Sequence, residues 1–197
     1  MFTGIIQAIG QVKTKDAHKK GAVFSFTSKD LDFSSVAIGD SIAVNGVCLT
    51  AIEIANDGFK ADVSQETLEC SILNDLEVGS NINLEKALKL NQGIDGHLVS
   101  GHVDGRGEVV DKTTEGESTR FKIKTPSSLV KYIAKKGSVT VNGVSLTVNS
   151  IIGNVFDINI VPHTLSVTTL GQLEVDMQVN LEVDIIARHL EQLINNK

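Results

Sequence analysis

The sequence has no tryptophan, one tyrosine, two prolines and two cysteines, and aromatic residues make up 4% of it. Each shortage closes off a class. Single-stranded nucleic acid is held by stacking rings and duplexes by basic stripes. A ring-poor chain whose charge sums to 18 − 24 = −6 offers neither, so no nucleic-acid partner is expected. Cys48 and Cys70 are too few for a disulfide framework or a zinc site built on thiolates. No run approaches the roughly 20 apolar residues that span a bilayer. Met1-Phe-Thr-Gly-Ile-Ile6 lacks the basic stretch and long apolar run of a secretory leader. A soluble, cytoplasmic protein without membrane association is therefore expected. The glycines at 101, 105 and 107 fit neither the dinucleotide fingerprint nor the phosphate loop, and no Gly-Lys-Ser follows. What the chain does have is apolar content, 41% over 197 residues, enough for one large core or two small ones.

It also has a repeat, which decides the architecture. Ser41-Ile-Ala-Val-Asn-Gly-Val-Cys-Leu-Thr50 and Ser138-Val-Thr-Val-Asn-Gly-Val-Ser-Leu-Thr147 agree at seven of ten positions, with an offset of 138 − 41 = 97. The same offset pairs Thr67-Leu68 with Thr164-Leu165, Leu76-Glu77-Val78 with Leu173-Glu174-Val175, and Asn83-Leu84-Glu85 with Asn180-Leu181-Glu182. It also pairs Gly4 with Gly101 and Gly10 with Gly107. An ungapped register of this extent marks a tandem duplication, with units at 1–97 and 98–197.

Each unit reads as β. Ser41–Val44 and Ser138–Val141 alternate and end at Asn-Gly, a hairpin signal, with return strands over Leu49–Ile54 and Leu146–Ile151. Further strands are expected at Ala22–Thr27, Phe59–Val63, Asn81–Leu84, Glu108–Asp111, Arg120–Lys124, Phe156–Ile160 and Gln178–Val183. About six short strands per repeat suggest a small closed barrel. Brief helices are expected at Gln65–Leu73, Ser127–Ala134 and Thr164–Leu170. A longer one is expected over about 184–195, where Ile186, Leu190 and Leu193 share a face.

Two homologous barrels suggest two related pockets, so matched positions that differ carry the information. Cys48 matches Ser145, Ile5 matches His102 and Glu66 matches His163, although drift alone explains any single pair. Most lone cysteines are small buried hydrophobes, a reading that suits Cys70 and competes with a nucleophilic role for Cys48. His97 and His102, five apart, would fall on opposite faces of a strand and not share a metal, their default role being a turn histidine bonded to backbone. Capping accounts for Thr67 and Thr164. Lys131, Lys135 and Lys136 read as a solvated face, with Lys136 able to reach an anion. No metal site is expected.

Several runs resemble the riboflavin synthase family of the alpha-chain type, built from lumazine-binding repeats. They are Met1-Phe-Thr-Gly-Ile-Ile6, Asn45-Gly-Val-Cys-Leu-Thr50, Glu66-Thr-Leu68, Asn83-Leu-Glu85 and Gly96-His-Leu-Val-Ser-Gly-His-Val-Asp-Gly105, with Lys136-Gly137, Gly143-Val-Ser-Leu-Thr147 and Pro162-His-Thr164. The departures, at Glu69-Cys70-Ser71, Asn74 and Asp95, are expected off the pocket lining.

The resemblance implies a mostly β protein: two tandem six-stranded antiparallel Greek-key barrels plus a C-terminal helix that joins a homotrimer. It implies a dismutation in which two molecules of 6,7-dimethyl-8-ribityllumazine exchange a four-carbon unit, giving riboflavin and 5-amino-6-ribitylaminouracil, without metal or redox cofactor. The working site would lie between the N-terminal barrel of one subunit and the C-terminal barrel of its neighbour. Lumazine synthase is a candidate partner. Ligand-binding segments carried over fall on Gly4, Ile5 and Ile6, on Cys48, Leu49 and Thr50, and on Asp62, Val63, Ser64, Gln65, Glu66 and Thr67. In the second barrel they fall on Gly101, His102 and Val103, on Lys136, on Ser145, Leu146 and Thr147, and on Ile160, Val161, Pro162, His163, Thr164 and Leu165. His102 is the candidate base, with Cys48, or a water it positions, the candidate nucleophile. Thr50, Ser64 and Thr147 are candidates for ribityl oxygens. The alternative from another class is a non-catalytic antenna protein that holds a lumazine or flavin.

Overall fold

The computed structural model describes residues 1–195. The first repeat contributes β1 (Ala8–His18), β2 (Gly21–Thr27), β3 (Ser41–Val44), β4 (Val47–Ala55), β5 (Gly58–Ser64) and β6 (Asn81–Lys86), with helix α1 (Gln65–Cys70) between the last two. The second contributes β7 (Gly105–Glu115), β8 (Ser118–Lys124), β9 (Ser138–Val141), β10 (Val144–Ile152), β11 (Val155–Ile160) and β12 (Gln178–Val183), with α2 (Pro162–Val167) and the C-terminal α3 (Ile185–Asn195). Each six-strand set closes into an antiparallel barrel, in the cyclic order β1-β2-β5-β4-β3-β6 and its counterpart β7-β8-β11-β10-β9-β12. Because β2 pairs with β5 across the β3–β4 hairpin, the path is a Greek key.

The hairpin signals hold for a local reason. Asn45 and Gly46 both have positive φ, as do Asn142 and Gly143, the conformation a two-residue turn needs to match strand twist. The strand expectations fall within observed strands, and β1 is a strand the sequence pattern does not predict. Its inward positions, Ala8, Gly10 and Val12, span only half its length, and the remainder is polar and exposed, so its alternation is weak. Three helical expectations change. Ser127–Ala134 holds only a three-residue turn at Val130–Tyr132. Gln65–Leu73 breaks at Ser71, whose extended backbone ends α1 and whose hydroxyl caps the next short turn. Pro162 starts α2 two residues before the expected Thr164, its fixed φ suiting the first helical turn. All seven phenylalanines are buried, and four of them stack in the first barrel: Phe24 on Phe26, Phe26 on Phe59, and Phe59 against Phe33.

The barrels meet on a pseudo-twofold made by residues the two copies share. Asn83 Nδ2 donates to Asn142 O at 2.9 Å while its Oδ1 accepts from Thr169 N at 2.7 Å. Asn180 repeats this with Asn45 O at 2.8 Å and Ile72 N at 2.7 Å. Between them the turns touch: a Cβ on Gly46 would stand 2.8 Å from Gly143 N. Each of these buried side-chain amides has both its oxygen and its nitrogen bonded across the interface; orphaning such a group costs about 1–3 kcal/mol.

The segments that precede each barrel cross over. Phe2 and Val99 pair with one another, Phe2 N donating to Val99 O at 2.7 Å and Val99 N to Phe2 O at 3.1 Å. Beyond that point Ile6 packs on the second barrel's core and Val103 on the first's. The stretch with His97 and His102 is thus no strand with two faces, but an arm laid across the neighbouring barrel.

Candidate active site

The crossing rearranges the expected groups. Gly101, His102 and Val103 do not join the second barrel's pocket, and Gly4, Ile5 and Ile6 do not join the first's. Cys48 N donates to Gly101 O at 2.8 Å, and Ser145 N donates to Gly4 O at 2.8 Å. A cleft of about 310 Å³ results at the first barrel, lined by Val47, Cys48, Glu66, Thr67, Cys70, Ser71, Gly101, His102 and Val103. Cys48, Glu66 and His102, one member of each differing pair, therefore share one cleft. Their counterparts Ser145, His163 and Ile5 belong to the second barrel or the arm crossing it.

Local structure explains each placement. Cys48 and Thr50 sit on the outer face of β4, while Val47, Leu49 and Ala51 are buried in the barrel. Leu49, Val63 and Ile160 accordingly have core side chains and present only backbone to a ligand. Ser64 is the cap of α1, accepting from Thr67 N at 3.1 Å, so the capping expected of Thr67 falls to Ser64, whose hydroxyl is in use. Val161 caps α2 without a side-chain bond, leaving Thr164 free of that role. Asp62, Gln65 and Glu66 are exposed around α1, and Pro162 and His163 around α2, while Leu165 packs on the second core. Leu146 is half-buried and Thr147 exposed on β10. Lys136 is exposed and holds φ +67 where the first repeat has Gly39 at φ +96. A lysine in that region is disfavoured, which marks its side chain as a candidate for function.

Three expectations fail. Cys70 is no buried hydrophobe: it is half-buried, lines the Cys48 cleft and donates its S–H to Val103 O at 3.4 Å. With Ser71 it shows that the departures around residue 70 lie on the lining. Asp95 lines a separate cleft of about 230 Å³ with Thr3, Ile5 and Gln7. His97 bonds not to backbone but to Ser145, Nδ1 to Oγ at 2.7 Å. Burial holds the His97 pKa below the usual histidine range, outweighing the pull of Asp184 and Glu182, and keeps the ring neutral near pH 7.

The arms are pinned by a matched pair of glutamates that residue-type reasoning did not single out. Glu85 accepts from Thr3 N and Oγ1 at 2.7 and 2.8 Å and from Gly4 N at 3.1 Å. Glu182 accepts from Ser100 N and Oγ at 2.7 and 2.6 Å and from Gly101 N at 3.0 Å. The only available signal was the Asn-Leu-Glu repeat itself. Burial raises the Glu85 pKa against the opposing pull of these bonds. Among the described residues no three His, Cys, Asp or Glu side chains converge as metal ligands would. No helix among them is long and apolar enough to cross a membrane.

Duplicated barrels with crossed arms, a ligand-sized cleft and asymmetric polar groups define a small-molecule-binding repeat protein. The chain belongs to the lumazine-binding domain family, whose pattern matches residues 3–87 and 100–184. It is 44% identical over 194 residues to the riboflavin synthase of Photobacterium leiognathi, covering 98% of this chain and 89% of that one. It is 40% identical to the riboflavin synthase of Mycobacterium bovis, covering 100% and 99% of the two chains. A solved structure of LumP complexed with riboflavin superposes with a TM-score of 0.85 at 29% identity, over 93% of this chain and 100% of that one. LumP complexed with 6,7-dimethyl-8-(1'-D-ribityl) lumazine superposes with a TM-score of 0.83 at the same identity.

Proposed function

We propose that the chain is a riboflavin synthase, a transferase that dismutates two molecules of 6,7-dimethyl-8-ribityllumazine into riboflavin and 5-amino-6-ribitylaminouracil. The observation that carries this reading is the gathering of Cys48, Glu66 and His102 in one cleft while the matched positions hold Ser145, His163 and Ile5. Identical substrates must play unlike roles, and unlike pockets provide for that. The 40–44% identity to riboflavin synthases over nearly the whole chain supports it.

In this mechanism His102 takes a proton from the 7-methyl group of one lumazine, whose anion is delocalised over the ring system. Cys48, or a water it positions, adds at C7 of the other and activates it for carbon–carbon bond formation. Lys136 and backbone N–H groups stabilise the anion. Thr50 and Thr147 reach the ribityl hydroxyls, and the remaining carried-over positions bind through backbone or packing. Holding both rings face to face contributes about 7–11 kcal/mol of the acceleration.

The two units are taken as 1–97 and 98–197, and the working state as a homotrimer whose sites pair the first barrel of one subunit with the second of its neighbour. Support comes from α3, which attaches by its polar side: Glu191 meets Lys131 and Tyr132 while Ile186, Leu190 and Leu193 are 64%, 56% and 69% exposed. An apolar face turned outward calls for a partner chain. We place the enzyme in the cytoplasm, with lumazine synthase a partner to be tested. Incubation with 6,7-dimethyl-8-ribityllumazine decides the activity: riboflavin formation supports the enzyme, and binding without turnover supports the antenna reading.

A further inference from the structure

The segment carrying His102 is fastened on both sides, and one fastening has no equal in the first repeat. On its N-terminal side the fastenings match. Glu182 holds the Ser100 hydroxyl, which accepts from His102 N at 3.3 Å, just as Glu85 holds Thr3, whose hydroxyl accepts from Ile5 N at 3.2 Å. On its C-terminal side Asp104 Oδ2 accepts from Val183 N at 2.7 Å, and at the matched position Gln7 Oε1 accepts from Lys86 N at 3.0 Å. The bond is the same, but the charge is not. Asp104 has a fully buried side chain whose Oδ1 has no hydrogen-bond partner among the described residues, and the Arg188 guanidinium of α3 stands against that oxygen. Gln7 is neutral, and the residue matched to Arg188 is Asn91, in the linker where the first repeat has no helix.

We propose that Arg188 is a positioning residue for His102: by neutralising Asp104 it fixes the end of the crossing arm and ties proton abstraction to the seating of the C-terminal helix. This rests on the reading of His102 as the base. A buried carboxylate deprived of its cation moves toward water or distorts its surroundings, because an unpaired charge is far costlier than an unpaired amide. Either response disturbs the bond that Asp104, two residues from His102, accepts from Val183 N. Displacements of about 1 Å at a reacting group cost on the order of 100-fold in rate. The first repeat shows that the arm itself needs only a neutral acceptor here, so the charge at 104 serves the link to the helix.

The test is a double-mutant cycle on the full-length protein, with 6,7-dimethyl-8-ribityllumazine as probe and two readouts: riboflavin formation and exchange of the 7-methyl protons into deuterated water. Arg188→Gln in the wild-type background should lower kcat and methyl exchange by about 10- to 100-fold with KM little changed. The same substitution in the Asp104→Asn background should cost less than about threefold, because no buried charge is left unpaired. Arg188→Lys, which keeps the cation, should recover part of the loss. Exchange in Arg188→Gln within twofold of wild type, whatever happens to its thermal midpoint, overturns the proposal. So does an equal loss in both backgrounds, which also covers the case where Arg188→Gln folds poorly. A wild-type protein that neither exchanges the methyl protons nor forms riboflavin overturns the functional reading and this inference together. An active wild type with an indifferent Arg188 overturns this inference alone.

Discussion

Alanine at Gly101 should separate the crossed-arm architecture from any arrangement in which each arm stays on its own barrel. Gly101 has φ +80, and a Cβ there would stand 2.6 Å from Cys48 Cβ and 2.8 Å from the ring of Phe2. Phe2 is fully buried and the Cys48 backbone is bonded to Gly101 O at 2.8 Å, so neither neighbour can step aside. Gly79 is the control: its φ is +91, but nothing lies within 4 Å of its Cβ position. Alanine at Gly79 pays only for left-handed backbone, about 1–2 kcal/mol. Alanine at Gly101 adds overpacking of about 1–3 kcal/mol. It also adds about 1–3 kcal/mol where the Cys48 N–H loses its acceptor. The expected gap between the variants is therefore about 2–4 kcal/mol, taken as the lower part of those summed ranges. Urea unfolding at constant m-value measures it, and riboflavin formation should fall with Gly101→Ala alone. Two variants within about 0.5 kcal/mol of each other, the usual scatter of a neutral surface change, would refute the packing argument.

Three further outcomes follow from the same geometry. Glu182→Gln leaves one acceptor oxygen for three donors and turns an amide N–H₂ toward Gly101 N, so it should cost about 1–3 kcal/mol in urea unfolding and lower methyl-proton exchange. His97, whose pKa burial depresses below 6.5, contributes stability that is present above pH 6.5 and lost as pH falls from there toward its folded value. Wild type should therefore lose stability more steeply than His97→Gln between pH 6.5 and 5.5, by up to about 1.4 kcal/mol per pH unit, whereas parallel slopes in denaturant titrations would contradict this. If the outward face of α3 carries the proposed trimer contact, Leu190→Glu should shift the sedimenting species from trimer to smaller forms while the far-ultraviolet circular dichroism of the barrels persists. A trimer indifferent to that charge would place the subunit interface elsewhere.

Much of the fold was legible because the chain states it twice. The Asn-Gly turns, the strands around them and the tail helix follow from local rules, and the 97-residue register places them in two equal units. The first strand was not legible, since its outer half is polar and only Ala8, Gly10 and Val12 face inward. The crossing of the arms could not be read at all. A register that pairs Gly4 with Gly101 is equally compatible with arms that stay at home and arms that exchange, and only long-range contacts distinguish them. Sequence position alone therefore puts Cys48 and His102 on different barrels, although they share a cleft. Agreement between the copies carried a second meaning that hairpin rules do not reach: Asn45, Gly46 and Asn83 recur as Asn142, Gly143 and Asn180 because they touch one another.

In the proposed mechanism the base operates in the cleft formed by Cys48 and the second arm, and the matched Ile5 takes no part in proton removal. Exchange of the 7-methyl protons of bound 6,7-dimethyl-8-ribityllumazine into deuterated water, compared between His102→Gln and Ile5→Gln, tests it most directly. Exchange should collapse in His102→Gln and persist in Ile5→Gln. Undiminished exchange in His102→Gln, or an equal loss in both, would contradict it.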